Sequence, residues 1–471
     1  MKGDLKDVPG QSTNAAFYDR HFLSEMDRED WLQAARNLQT NLTDEVIEAA
    51  FNDWPDTLDA QYGEEIRGYL KQRRDNFEAI AMRQYEFLSK IVNVRGTNDD
   101  ELFDITRGSA GKTTIKVYEL SKKGNKKDLL YERTFYPKET KEIRLYGFGG
   151  KDDFKIEGEG NKGILIRIVG GFGKDEVENE AIGIGRGKTK VYDEPEGMKL
   201  EGKVADKRSK KLDVNEYDRE YYRYNTHFPL INFGFNPDDG FAIGAGLLST
   251  LHGFRKEPYA AFHSVGFSVF TATGAFNFNY SGDFTGALGK SDLIVDASIL
   301  NPEFVNFFGF GTNSVNPLAG FNFNRVRLEH YRLGLSSRWR LNGNRNTLRF
   351  GPVLETISLS ERDNQIMADP NFPEVPLQDF SFKHFAGANL QFSIDGTDGK
   401  ANIRNGLRIT ADADYRKRLD SGDDNSGFLR TGGAFSLYLT IPIKSVDVTL
   451  ASSVGGDYTF GDFEFYQAPS L

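Results

Sequence analysis

From residue 226 onward, apolar and polar positions alternate with a period of two. Val265, Phe267 and Val269 share one face, and Ser264, Gly266 and Ser268 the other, which is the pattern of a β-strand. Beyond Ala272-Thr273-Gly274, Phe276, Phe278 and Tyr280 oppose Asn277, Asn279 and Ser281, so the pair predicts a hairpin. Leu333, Leu335, Trp339 and Leu341 oppose Arg332, Gly334, Arg338 and Arg340. Leu407, Ile409, Ala411 and Tyr415 oppose Arg408, Asp412, Asp414 and Arg416, and two further stretches, Phe435 to Ile441 and Val446 to Val454, repeat the pattern. About eleven such strands run from near Phe228 to near Tyr458. Each has about ten residues, the length of a tilted bilayer crossing. An Arg at the lipid midplane costs roughly 2–4 kcal/mol, so Arg332, Arg338, Arg408 and Arg416 are expected to face a lumen. Short turns at Asn236 to Gly240 and Asn342 to Asn344 contrast with long connections near 362–382 and 417–427, as in barrels with short periplasmic turns and long outer loops.

The first half follows other periods. Trp31, Leu32, Ala35 and Leu38 recur at helical spacing behind the acidic start Asp27 to Asp30, which complements a helix dipole. Thr43-Asp44-Glu45 opens a second helix that Trp54-Pro55 closes, and a third runs from about Glu64 to Ile91. Residues 1–95 are thus a helical segment. Residues 96–200 form a small β domain with a repeat: Ile143-Arg144-Leu145-Tyr146-Gly147 returns 23 residues later as Ile166-Arg167-Ile168-Val169-Gly170, and Thr189-Lys190-Val191-Tyr192 is a third copy. Such repeats imply stacked strand–turn units that bury a shared face. Gly170-Gly171-Phe172-Gly173-Lys174-Asp175 resembles the calcium-binding turn of RTX proteins. Asp175 and its counterpart Asp152 are therefore candidate calcium ligands, since hard cations take carboxylate oxygens. The first copy departs from that pattern with Phe148 in place of the second glycine; the alternative is a positive-φ turn without metal. Residues 201–225 are a charged, Tyr-rich linker whose Lys207 to Lys211 and Tyr217 to Tyr224 suit a headgroup zone.

The 471 residues carry a net charge of −10, from 59 basic and 69 acidic side chains, and no cysteine. The balance argues against nucleic-acid binding, and the lack of cysteine excludes disulfides, thiolate metal sites and a cysteine nucleophile. A mean hydropathy of −0.52 excludes a bundle of membrane helices. That average hides the two faces of each strand: of 38 Phe, 28 lie after residue 225. The six His (His21, His227, His252, His263, His330, His384) show no ligand spacing, and the pairs Asp238/Asp239 and Asp412/Asp414 read as solvated. No catalysis, cofactor or firm metal site is expected.

Leu230-Ile231-Asn232-Phe233-Gly234-Phe235-Asn236-Pro237-Asp238-Asp239-Gly240, continuing to Gly246, resembles the opening hairpin of the bacterial surface antigen superfamily, the BamA/TamA-like barrels. Phe307-Phe308-Gly309-Phe310-Gly311-Thr312-Asn313 is similar to a Phe-Phe-Gly segment of that family, and Asp462 to Leu471 to the exit of its eleventh strand into a long outer loop. The resemblance implies a mainly β fold: a partial transmembrane antiparallel β-barrel, about eleven of roughly sixteen strands, preceded by a small β domain and an N-terminal helical segment. It implies a bacterial outer-membrane location, with residues 1–225 periplasmic, and a chain that lacks an export signal in front and several strands behind. It implies two partners, outer-membrane lipid and unfolded outer-membrane client proteins, in assembly or export. A weak seam at the first strand would accept a client strand by β-augmentation. Phe228, Pro229, Leu230, Phe233 and Gly234 are its candidate residues, because proline removes a ladder donor and glycine weakens packing. Residues 15–225 resemble the region that, in one branch, joins an upstream phosphoesterase domain to the barrel. The second expectation is therefore the membrane anchor of an enzyme whose catalytic domain is not in this chain.

Overall fold

The computed structural model describes all residues except 1–4, 13, 161, 212, 237–239, 309–322, 342–344, 361–365, 367–379, 400, 422–425, 444–445 and 469–471. The chain divides into two units, residues 1–222 and 223–471. The helical segment, the repeat and most of the Tyr-rich stretch thus belong to one unit.

Unit one begins with α1 (Val8–Ser12), α2 (Ala16–Phe22), α3 (Arg28–Asn41), α4 (Asp44–Ala49), α5 (Asp56–Leu58), α6 (Glu64–Asp75) and α7 (Phe77–Leu88). The acidic start of α3 is a reciprocal cap. Asp27 Oδ1 accepts the Glu29 and Asp30 amides at 2.8 and 3.2 Å, and the Asp30 carboxylate accepts the Asp27 amide at 2.8 Å. Asp27→Ala should therefore cost about 1 kcal/mol in a urea melt, with the strand signal in circular dichroism unchanged. The helix expected from Glu64 to Ile91 is split at Asn76, whose φ of −98° and ψ of 7° leave the helical region. Ile91 already opens a strand, and Pro55 caps α5 rather than closing a long helix.

The repeat builds two sheets from β1 (Ile91–Arg95), β2 (Glu101–Arg107), β3 (Thr113–Leu120), β4 (Lys126–Phe135), β5 (Glu142–Gly150), β6 (Asp153–Gly158), β7 (Leu165–Gly173), β8 (Asp175–Asn179), β9 (Thr189–Tyr192), β10 (Met198–Gly202) and β11 (Ala205–Asp206). Their orders are β1-β5-β7-β9-β11 and β10-β8-β6-β2-β3-β4. The 23-residue period is the register of parallel pairing. Ile143 faces Ile166, Ile166 faces Thr189, Asp153 faces Glu176 and Asp175 faces Met198. Each copy is one rung of a two-sheet coil, and the antiparallel β3–β4 hairpin is inserted between the first rung and the second. Apolar side chains stack up the middle: Val94, Leu145, Ile168 and Val191 from one sheet, Phe103, Phe154 and Val177 from the other. The Phe103 and Phe154 rings are 4.5 Å apart. Buried Arg107 ties rungs together, donating to the Ile164 and Lys188 carbonyls at 2.7 and 3.3 Å. At the coil's corner Gly171 has a φ of +113°, and a Cβ there would lie 2.2 Å from the Phe148 carbonyl oxygen. Only glycine permits that approach.

Unit two is an eleven-stranded antiparallel sheet with neighbours in chain order. Its strands are β12 (Thr226–Asn236), β13 (Gly240–Leu251), β14 (Ala261–Phe270), β15 (Phe276–Leu288), β16 (Ser291–Asn306), β17 (Arg325–Leu341), β18 (Asn346–Leu359), β19 (Lys383–Asp395), β20 (Gly406–Arg418), β21 (Gly427–Ile443) and β22 (Val446–Gly461). The register keeps like with like. Ile231, Ala245, Phe267, Phe278, Ile299 and Tyr331 form one row across six strands, and Gly246, Gly266, Asn279, Ser298, Arg332 and Glu355 another. The rule of short and long connections holds only in part. In a meander the connections after β12 and β18 share one end, so the short 237–239 link lies with the long 360–382 one. The expected turns at 237–239 and 342–344, the Asp238/Asp239 pair, most of the 362–382 loop and of the Phe307 to Asn313 segment, and residues 469–471 lie outside the described residues. Among the described residues no helix is long and apolar enough to cross a membrane.

Candidate functional site

The two faces of the eleven-stranded sheet are chemically opposite. The outward set carries large apolar side chains open to the surroundings: Phe267, Leu333, Leu335, Trp339, Phe350, Leu354, Leu390, Phe435 and Leu437 are all exposed. The other face holds the charges. Arg338 pairs with Asp283 and Asp292 at 2.7 and 2.8 Å, and Arg340 with Asp292 at 2.6 Å. Arg349 pairs with Asp296, and Arg408 with Asp395 at 3.0 Å. Arg416 meets Asp414 and, at 3.6 Å, Glu355. Arg332 lies 3.8 Å from Asp414, two strands having been passed over between them. Pairs that skip strands converge on a concave polar face. There, a cavity of about 490 Å³ is lined by Ser264, Asn279, Ser298, Arg349, Asn389 and Gln391, among others. The four arginines assigned to a lumen all lie on this face and are all ion-paired.

His330 was read as isolated, yet it sits between two carboxylates. Its Nδ1 is 3.0 Å from Glu303 and its Nε2 2.7 Å from Glu355. No local signal marks this site, since its partners lie on β16 and β18 and only the strand register brings them together. The concave face also has an apolar end that alternation did not foresee. Phe307, Val326, Leu328, Ile357 and Leu359 cluster there with Phe465 and Tyr466. After β22 the chain turns back, placing Phe465 4.5 Å from Phe307 and Glu464 on Lys383.

The candidate seam residues all lie on β12, the first edge of the sheet. Phe228, Pro229, Leu230, Phe233 and Gly234 pair with Leu248, Leu247, Gly246, Ile243 and Ala242 of β13. Among the described residues, the opposite edge of β12 has no partner strand. Phe228 and Phe233 are 67% and 78% exposed, the most open aromatic pair on this edge.

In unit one, the candidate turn residues Asp152 and Asp175 are buried at the coil's corner, one rung apart. Each spends one oxygen on a backbone amide: Asp152 on Glu101 at 3.0 Å, Asp175 on Asp152 at 2.9 Å. Among the described residues, no three His, Asp or Glu side chains are gathered closely enough to hold a metal ion. Phe148 takes a left-handed φ of +73°, matching Gly171 one rung on, so the turn geometry survives the substitution. The Tyr-rich stretch is packed rather than free: Tyr217 meets Tyr146 and Phe148 edge-on at 4.7 and 5.1 Å.

No family model and no curated protein matches the chain. Among solved structures it is similar to the crystal structure of BamA from Haemophilus ducreyi lacking POTRA domains 1–3. The identity is 15% and the TM-score 0.33, over 52% of this chain and 43% of that one. The chain thus spans less than half of that structure's length. None of these comparisons supports a link to a phosphoesterase branch.

Proposed function

We propose that residues 223–471 form the lipid-facing wall of an outer-membrane β-barrel that serves in the assembly or export of outer-membrane proteins, without catalysis. The observation that carries this reading is the inverted parity of the sheet. Apolar rows are exposed and charged rows are turned inward, the reverse of a water-soluble fold. An exposed apolar face running across eleven strands far exceeds the few hundred Å² that soluble monomers show. The proposed assembly role rests on the free edge of β12, which offers backbone donors and acceptors to an incoming strand. Membrane fractionation of cells expressing the native protein tests the location. The protein should stay in the outer-membrane pellet through alkaline carbonate washing and migrate faster when unheated. Recovery in the soluble fraction would contradict the reading. Photo-crosslinkers at Leu230 and Asn232 should then capture client strands.

A further inference from the structure

Four acidic side chains stack at the corner where the coil passes from one sheet to the other. Glu101, Asp152, Asp175 and Asp193 occupy that corner in successive rungs and are no more than 4% exposed. One oxygen of each is satisfied. Glu101 Oε1 accepts the Thr97 amide at 3.1 Å, Asp152 and Asp175 accept amides of the rung before, and Asp193 Oδ1 accepts the Glu194 amide and Asn215 Nδ2 at 2.6 and 2.8 Å. Among the described residues, the second oxygen of all four is buried and meets no donor. Asn215 adds an independent fifth. It is 9% exposed, donates to Asp193 and to the Gly171 carbonyl, and keeps a buried Oδ1 that also lacks a donor. Bare backbone makes the room: a Cβ at Gly170 would lie 2.4 Å from both Asp175 Oδ2 and Asp193 Oδ2, and one at Gly147 2.2 Å from Asp152 Oδ2.

Five buried acceptors without a donor among the described residues are a deficit that protein interiors rarely hold. The carboxyls can fill it themselves by keeping protons. We propose that this corner is a proton-holding spine, in which stacked carboxyls share protons at neutral pH and release them in alkali, loosening the coil. The surrounding charges favour this. Asp99 and Asp153 add negative charge, as does Glu194, while Arg208, which acts on Asp193, is itself held by Asp206. Burial pushes the Asp175 carboxyl up to about 7, with Asp193 and Asp153 adding repulsion. Burial, then the Asp175 and Glu101 carboxyls, push Asp152 up as well, and burial raises Glu101 and Asp193. Unfolded, such acids titrate near 4. The stabilisation is therefore complete below about pH 4 and is lost as pH rises through the raised folded values, at a rate of about tenfold in the folding equilibrium per pH unit per proton.

Hydrogen exchange at the Glu101 and Asp152 amides of the full chain, corrected for base catalysis, tests this. Protection should fall about tenfold or more between pH 6 and pH 9. It should fall less in the double variant Asp152→Asn, Asp175→Asn, whose side-chain N–H groups replace two acid O–H groups and leave only Glu101 and Asp193 to titrate. Should that variant fail to fold, the infrared carbonyl band of protonated carboxyl in the wild type decides: present at pH 6, gone in strong alkali. Flat wild-type protection, absence of that band at pH 6, or protection restored at pH 9 by calcium would each overturn the proposal.

Discussion

Leu390→Arg will destabilise the sheet in a lipid bilayer by about 2–4 kcal/mol, while Gln391→Arg, one residue on, will change it by about 0.5 kcal/mol or less. Leu390 is 43% exposed and lies midway along β19, opposite Phe350 and Ala413. If this face meets lipid, as proposed, a guanidinium there has hydrocarbon around it. Gln391 lines the cavity, opposite Asp412 on one neighbouring strand and Arg349 on the other, where a carboxylate offsets the like charge an added cation meets. Urea titration of chain folded into vesicles separates the two. Both variants introduce the same guanidinium, one residue apart on the same strand, so the face it enters is the main difference between them. Equal effects would mean that both faces meet the same solvent.

Ile168→Ala will cost unit one about 2–5 kcal/mol. Ile168 is fully buried between Leu145 and Val191 in the central column. A coil differs from an ordinary core because each rung is covered only by its neighbours. A cavity in the middle rung should therefore raise exchange in β5, β7 and β9 together, leaving α3 and α7 less affected. Thermal melting with segment-resolved exchange checks both the size and the spread. A loss confined to β7 alone would contradict stacked rungs.

Much of this architecture was legible in the sequence because two periods dominate it. The period of two placed Leu333 and Leu335 outside and Arg332 and Arg338 inside, and pairing carries those two rows across neighbouring strands. The 23-residue offset identified the rungs because parallel pairing without bulges conserves spacing from Ile143 to Ile166 to Thr189. What escaped is long-range. Glu101 belongs to the same corner as Asp152, but the β3–β4 hairpin separates them, so the repeat does not align them. Asp175 opens β8, whereas Asp193 stands several residues before β10 and falls out of register. His330 gains its partners from two other strands. Val353 and Ile357 read as ordinary apolar positions, yet they sit inside the concave face, where Ile357 packs against the returning Phe465 segment.

The most direct test places nitroxide labels, one at a time, at positions 387 to 393 of the membrane-embedded protein, a scan made simple by the absence of native cysteine. Apolar oxygen should reach labels at Ala388, Leu390 and Phe392 best, and a water-soluble nickel reagent those at Asn389, Gln391 and Ser393. An inward-facing apolar set, or water access to every position alike, would contradict a lipid-facing wall.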